Sequence, residues 1–126
     1  MSNSKDTPVK LNRPFVGIPS FLRSHICTDL DDLDADIAVF GVPHDEGSPF
    51  LAGSRMGPRS IREQSLRFGA PGSIYDPETR NQYLAEELGQ GLIADVGDVD
   101  VWPTEVRTTF KNATDMTRKI LAKGAF

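Results

Sequence analysis

Cysteine is almost absent from this sequence, and long apolar segments are missing. Cys27 is the only cysteine in 126 residues, which excludes an internal disulfide framework and favours a reducing, cytoplasmic location. No apolar run reaches the roughly 18 residues that a transmembrane helix needs, and the polar first residues lack the apolar centre of a signal peptide. The sequence therefore predicts a cytoplasmic protein without a membrane partner, in which Cys27 is an inert small side chain.

Basic clusters and phosphate-binding motifs are missing as well. The 14 lysine and arginine residues are outnumbered by 18 aspartate and glutamate residues, and the net charge is −4. The basic residues are scattered, whereas a nucleic-acid-binding surface needs them clustered. Neither a GxGxxG nor a GxxxxGK[ST] motif is present. Nucleic acid is therefore not an expected partner, and no phosphate-binding loop is predicted.

Two strand–helix units are present instead. Residues 37–42 are apolar without alternation, which is typical of a strand buried on both faces of a parallel sheet. A helix is predicted over residues 58–68, because Pro58 suits the first helical position and Gly69 suits the end. Its expected inner face comprises Ile61, Ser65, Leu66 and Phe68.

The second unit combines a strand at residues 92–96 with a helix that follows Pro103 and Thr104 and ends at Gly124. Apolar positions of this helix recur with a period of about 3.6 residues. They are Val106, Phe110, Ala113, Thr117, Ile120 and Leu121. Two such units predict an α/β protein with a parallel sheet and helices on both faces. Residues 125–126 are expected to begin a third strand.

The remaining segments are predicted to connect these elements. A flexible tail is predicted over residues 1–14, and the segment from Pro14 to Arg23 is predicted to be extended. A short turn capped by Thr28 or Asp29 is expected in the acidic run that follows. Residues 73–84 are interpreted as an irregular excursion or a β-ribbon with a turn at residues 76–78.

A loop of about 14 residues joins the first strand to its helix, although such connections usually have only 2–6. It leaves the carboxyl end of a strand, where open α/β sheets bind ligands. Within it, His44, Asp45 and Glu46 could provide a general base or a metal ligand, or could brace the loop. Arg55 could clamp an acid or pair with Asp45 or Glu46. On the following helix, Arg59 and Arg62 are expected in solvent or paired with Glu63.

Asp95, Asp98 and Asp100 follow the second strand. Carboxylates at this place are suitable ligands for Mg²⁺, Mn²⁺ or Ca²⁺. Alternatively, they cap backbone N–H groups beside Gly97 and hold a turn. The residues alone leave both interpretations open.

Three motifs together resemble the N-terminal third of the ureohydrolase family, which includes agmatinases, guanidinobutyrases and arginases. They are Gly41-Val-Pro-His-Asp-Glu-Gly47, Gly53-Ser-Arg-Met-Gly-Pro-Arg-Ser-Ile-Arg62 and Asp95-Val-Gly-Asp98. Residues 15–23, 112–114 and 120–126 are similar to the agmatinase branch in particular. The resemblance implies a three-layer α/β/α domain, covering residues 15–126 and continuing beyond them. It also implies hydrolysis of a guanidino group to urea and an amine with two Mn²⁺ ions, or Ni²⁺ in some members.

The same resemblance places no catalytic residue and no metal ligand in this chain. The family's ligands belong to Gly-Gly-Asp-His, Asp-Ala-His-x-Asp and Asp-x-Asp segments, the first of which is expected directly after Phe126. Only the first loop transfers, since in the family it borders the mouth of the active site. The substrate-side candidates are Asp45, Glu46, Ser48, Phe50, Ser54 and Arg55.

Two departures from the family pattern leave the guanidino substrate open. His44 stands where an aromatic residue is usual, and Met56 stands where phenylalanine is usual. A homo-oligomer, trimeric or hexameric, is the expected assembly. The alternative from another class is a non-catalytic subunit or interaction module that functions at this length.

Overall fold

A computed structural model describes residues 16–68 and 74–126 of the chain. The predicted tail at residues 1–14 lies outside the described residues, as does residue 73 at the start of the predicted excursion. The domain boundary expected at residue 15 stays a prediction.

The principal sheet has three parallel strands, in the order β1 (His25–Ile26), β5 (Ile93–Asp98) and β2 (Ile37–Gly41). Strand β1 (His25–Ile26) was not predicted, whereas β2 (Ile37–Gly41) and β5 (Ile93–Asp98) confirm the two predicted strands. Central strand β5 is buried from Ile93 to Val96. The expected full burial of β2 is wrong, because β2 lies at the edge of this three-stranded sheet and its five residues are half-buried.

Two helices lie on opposite faces of this sheet. Ala94 and Val96 of β5 pack in a core with Ile120 of α3 (Val106–Ala122), whereas Asp95 between them contacts α1 (Gly57–Ser65). Because side chains alternate along a strand, the two contacts identify two faces. The predicted parallel sheet with a helix on each face is therefore confirmed.

Both helices expose part of the apolar surface that was predicted to face inward. In α3, Ile120 is buried, but Phe110 and Leu121 are more than half exposed. Helix α1 ends at Ser65, earlier than predicted. Ile61 within the helix and Phe68 beyond its end are both exposed. These exposed side chains reflect faces that the sheet, with only three strands here, does not cover.

Short elements complete the described fold. The expectation of an extended chain is wrong at Phe21–Arg23, which forms a 3-10 turn. A second 3-10 turn, Leu30–Asp32, begins at Asp29, whose side chain accepts the Asp31 N–H as predicted. The predicted ribbon is confirmed as the antiparallel pair β3 (Tyr75–Asp76) and β4 (Asn81–Gln82). The short helix α2 (Ala85–Gly89) was not predicted.

Cys27 belongs to the core around α3. Its Sγ donates to the carbonyl oxygen of Asp29 over 3.0 Å. Burial raises the pKa of the Cys27 thiol, which disfavours the nucleophilic thiolate. This agrees with the prediction of an inert side chain. Among the described residues, no helix has the length and apolar character that crossing a bilayer requires.

Phe126 lies against the free edge of β2. Its N–H donates to the carbonyl of Asp36 over 2.8 Å, and its carbonyl accepts the N–H of Ala38 over 2.9 Å. These two bonds flank Ile37 in the pattern of a parallel ladder. Phe126 thus pairs with β2 as a residue of a further parallel strand would, next to the three strands already present. Beyond it, this edge of β2 has no strand partner in the described part of the chain.

We expect the 126-residue chain, produced alone, to self-associate, because an unpaired edge beside exposed apolar side chains favours intermolecular pairing. Sedimentation velocity should show a weight-average mass that rises with concentration. Leu121→Lys should reduce this rise, whereas Ala122→Lys, at an exposed position of the same helical turn, should not. A sharp, cooperative melt from a monomer would contradict the prediction.

Candidate functional site

Asp45 organises the first loop, which we define as residues 42–56 between β2 and α1. The carboxylate is buried. Its Oδ2 accepts the backbone N–H groups of Gly53 and Arg55 over 2.7 and 3.1 Å. Its Oδ1 accepts the Nε–H of Arg55 over 2.8 Å and forms an ion pair with Nη2 at 2.5 Å. One side chain therefore closes the loop, which agrees with the loop-brace interpretation of Asp45.

Charge reinforces this closure. Hydrogen bonding to Arg55 holds the pKa of Asp45 well below its usual range, so the carboxylate is ionised at neutral pH. In return, Asp45 raises the pKa of Arg55. The Arg55 side chain is 56% exposed, because only one side of its guanidinium is occupied by Asp45. The predicted pairing of Arg55 with Asp45 is present, and part of the guanidinium still faces solvent.

Glu46 and His44 connect the first loop to the segment after β5. The Glu46 carboxylate accepts the backbone N–H of Thr104 over 2.9 Å. The His44 ring meets Phe110 of α3 edge to face, with ring centroids 5.4 Å apart. His44, Asp45 and Glu46 thus make separate contacts and do not converge on a common point. The geometry supports a brace more than a ligand set.

Ser48, Phe50 and Ser54 are the other predicted substrate-side residues, and the backbone N–H of Ser48 donates to the carbonyl oxygen of Asp45 over 3.0 Å. At the loop tip, Ser48 Oγ donates to the carbonyl of Leu51 over 2.7 Å, and Phe50 is 88% exposed. Ser54 begins the 3-10 turn Ser54–Met56 that leads into α1. The structure therefore brings Asp45 and Arg55 together, holds Glu46 in a separate contact with Thr104, and leaves Phe50 exposed.

An arginine of α1 joins the carboxyl end of β5, which sequence reasoning missed. Arg62 donates from Nε and Nη2 to the two oxygens of Asp95 over 2.7 and 3.0 Å. It also donates from Nη1 to Asp98 and from Nη2 to the carbonyl of Gly97. The expectation that Arg62 is solvated or paired with Glu63 is wrong. Arg59 pairs with Glu63 instead, over 3.4 Å.

The error has a physical reason. The prediction oriented α1 by its apolar residues and so placed Ile61 on the inner face. The buried carboxylate of Asp95 requires a cation, however, and Arg62, the residue after Ile61, faces it instead. A strand-end pair of aspartates without a local histidine is the sequence signal that could have indicated a buried arginine partner.

Asp95 is not available to a metal ion. Besides its two bonds from Arg62, it accepts the N–H groups of Phe21 and Gly97 over 2.8 and 3.0 Å. Four donors fill the acceptor positions of a carboxylate. No group of three or more potential ligands occurs among residues 16–68 and 74–126. The described residues therefore do not fit a metal centre, and the bond from Gly97 supports the turn interpretation of Asp95.

Comparison with known proteins agrees with the motifs of the first loop and β5. The model of the arginase family matches residues 35–126. The chain is 34% identical to the mitochondrial guanidino acid hydrolase of Homo sapiens over 97% of its own length and 32% of that protein. It is 34% identical to the mitochondrial agmatinase of Gallus gallus over 86% of its length and 29% of that protein.

A guanidinopropionase of Pseudomonas aeruginosa is 29% identical over 98% of this chain and 36% of that protein. The chain thus spans about a third of the length of these relatives. The family match covers most of the chain, including the first loop, α1, β5 and α3. This chain belongs to the arginase family and has its α/β fold.

Proposed function

We propose that the chain is the N-terminal part of an enzyme that hydrolyses the guanidino group of a small substrate to urea and an amine. The observation that carries this proposal is the family match over residues 35–126, which includes the first loop. Asp45 and Arg55 order that loop at the carboxyl edge of the sheet, where ligands bind in α/β folds. The proposal assigns the loop to the rim of the substrate entrance.

In this proposal the described residues shape the entrance and do not perform the chemical step. The arginase family depends on a binuclear metal centre, and we propose two Mn²⁺ ions, with Ni²⁺ as the alternative. Their ligands are assigned to residues outside this chain, since the described residues provide no fitting cluster.

The two substrate classes considered differ in the charge of the group at the end opposite the guanidino group. A guanidino acid carries a carboxylate there, and agmatine carries an ammonium group. The exposed side of Arg55 suits a carboxylate through charge-assisted hydrogen bonds. Exposed Glu46 would suit an ammonium group, but one of its oxygens is already used by Thr104. Arg55 therefore favours a guanidino acid over agmatine.

A substrate panel tests the proposal. The full-length polypeptide that carries this chain would be assayed for urea with guanidinobutyrate, guanidinopropionate, agmatine and arginine, with Mn²⁺ or Ni²⁺ added. We expect urea above a no-protein blank with at least one compound. If none is hydrolysed with either metal, the alternative of a non-catalytic subunit or interaction module is favoured.

Assembly and location stay predictions that belong to this proposal. A homo-oligomer, trimeric or hexameric, is proposed for the complete enzyme. A cytoplasmic location is proposed from the single cysteine.

The 126-residue chain alone should hydrolyse no guanidino compound, because an activated water requires metal ligands that the described residues lack. The measurement is urea release by the purified chain with added Mn²⁺, beside the full-length polypeptide as positive control. Urea above the blank would show that ligands lie within this chain.

Arg55→Ala in the full-length enzyme should impair catalysis more than folding. Loss of a charged hydrogen bond that is formed in the transition state lowers kcat/KM by about 10- to 150-fold. Metal content should equal that of the wild type, because no ligand is assigned to the first loop. Kinetics, metal stoichiometry and Tm would be compared with Arg59→Ala, a matched control on the exposed surface of α1. Unchanged activity would mean that Arg55 has only a structural role. Loss of metal from the folded variant would mean that metal ligands lie closer to the first loop than proposed.

A further inference from the structure

A bulge in β5 brings two carboxylates to one arginine. Val39 of β2 lies opposite Asp95, and Gly41 lies opposite Asp98, so two steps of β2 match three steps of β5. In a regular strand, residues three apart project to opposite faces. The additional residue, together with the positive φ of 83° at Gly97, turns Asp98 to the side where Arg62 reaches it. Bulges re-aim side chains in this way and are frequent beside active sites.

The resulting Arg62 cluster, which we define as Arg62, Asp95 and Asp98, grades from buried to open. The Arg62 side chain is 13% exposed and that of Asp95 is 3% exposed, whereas Asp98 is 35% exposed. Asp95 lies in the sheet interior and accepts four hydrogen bonds there. Asp98 extends the cluster toward the carboxyl edge of the sheet, where the first loop begins.

Asp98 touches the point from which the first loop departs. A Cβ added to Gly41, the last residue of β2, would overlap Asp98 Oδ1 and would lie 2.6 Å from Cβ of Pro58. Gly41 also accepts the N–H of Val99 through its carbonyl oxygen over 3.0 Å. The end of β2, the end of β5 and the start of α1 are thus in contact at one place, and Arg62 holds Asp98 there.

Arginine is needed for this arrangement. Three nitrogens of Arg62 donate to four acceptors on Asp95, Asp98 and Gly97. A planar guanidinium offers donors in this fork, whereas a lysine ammonium is a single point from which these directions cannot all be reached.

We propose that Arg62 is a positioning residue for the guanidino hydrolysis proposed above: through Asp98 it fixes Gly41, and thereby the first loop. Arg62 acts through other residues and does not contact the substrate. The inference rests on the proposed function only for its catalytic consequence, since the order of the loop can be measured without substrate.

The experiment uses Arg62→Met, Arg62→Lys and Asp98→Ala in the full-length polypeptide. Asp98→Ala removes the link to Gly41 but leaves the buried pair of Arg62 and Asp95, so it separates loop position from stability. Arg59→Met is the matched control, one turn earlier on α1 and paired only with exposed Glu63. The measurements, made well below Tm, are kcat and KM, metal per subunit, and the rate of tryptic cleavage after Arg55 relative to the other sites.

We expect kcat/KM to fall by up to about 100-fold in Arg62→Met, the loss that a displacement of about 1 Å can cause, with wild-type metal content. Asp98→Ala should lose less but should share the faster cleavage after Arg55. Arg62→Lys should recover only part of the loss, and Arg59→Met should match the wild type.

Wild-type kinetics and cleavage rate in folded Arg62→Met, or in Asp98→Ala if Arg62→Met does not fold, would overturn the inference. Loss of metal from a folded variant would also overturn it, because Arg62 would then act on the metal shell. If the wild-type polypeptide releases no urea from any substrate, the proposed function fails, and cleavage after Arg55 alone decides the role of Arg62.

Discussion

The described fold depends on one buried charge, the carboxylate of Asp95 in the central strand. An ionised carboxylate in an apolar interior is very unfavourable without a partner and hydrogen bonds. Asp95 obtains them from α1 through Arg62, from the segment before β1 through the N–H of Phe21, and from its own bulge through Gly97. Removing one partner of such a buried pair costs about 3–5 kcal/mol. The position of α1 on the sheet is therefore fixed by charge as well as by apolar contact.

This dependence explains how far the sequence predicts the fold. Apolar runs and 3.6-residue periodicity identified both strand–helix units, because burial in α/β folds imposes those patterns locally. The predicted orientation of α1 was wrong. Apolar periodicity cannot show that a polar residue, Arg62, is the one that faces the sheet. The exposure of Phe110 and Leu121 was missed for a related reason. Periodicity marks surfaces that suit burial, but it does not show whether the chain itself covers them.

The candidate site divides in the same way. The Asp45–Arg55 pair joins residues of one loop. The sequence could therefore indicate Asp45 as one of several possible partners of Arg55. The bond from Thr104 to Glu46 and the contact of His44 with Phe110 join segments more than 50 residues apart. Nothing local to either segment indicates them, because they arise only when β2 and β5 lie side by side. The bulge at Gly97 is a further case, since its register is defined only against β2.

The two charge centres have distinct roles in the same edge of the sheet. The Arg62 cluster fixes where the first loop leaves β2, whereas Asp45 fixes the shape of the loop that follows. Asp95 is saturated by its four donors, and Asp45 is bound by Gly53 and Arg55, whereas Asp98 stays partly exposed beside Arg62. The carboxyl ends of parallel strands lie at a common edge of the sheet, and the first loop leaves β2 at that edge. Asp45 and Asp95 therefore order the first loop and α1 at this edge, because their carboxylates are already bound by protein donors.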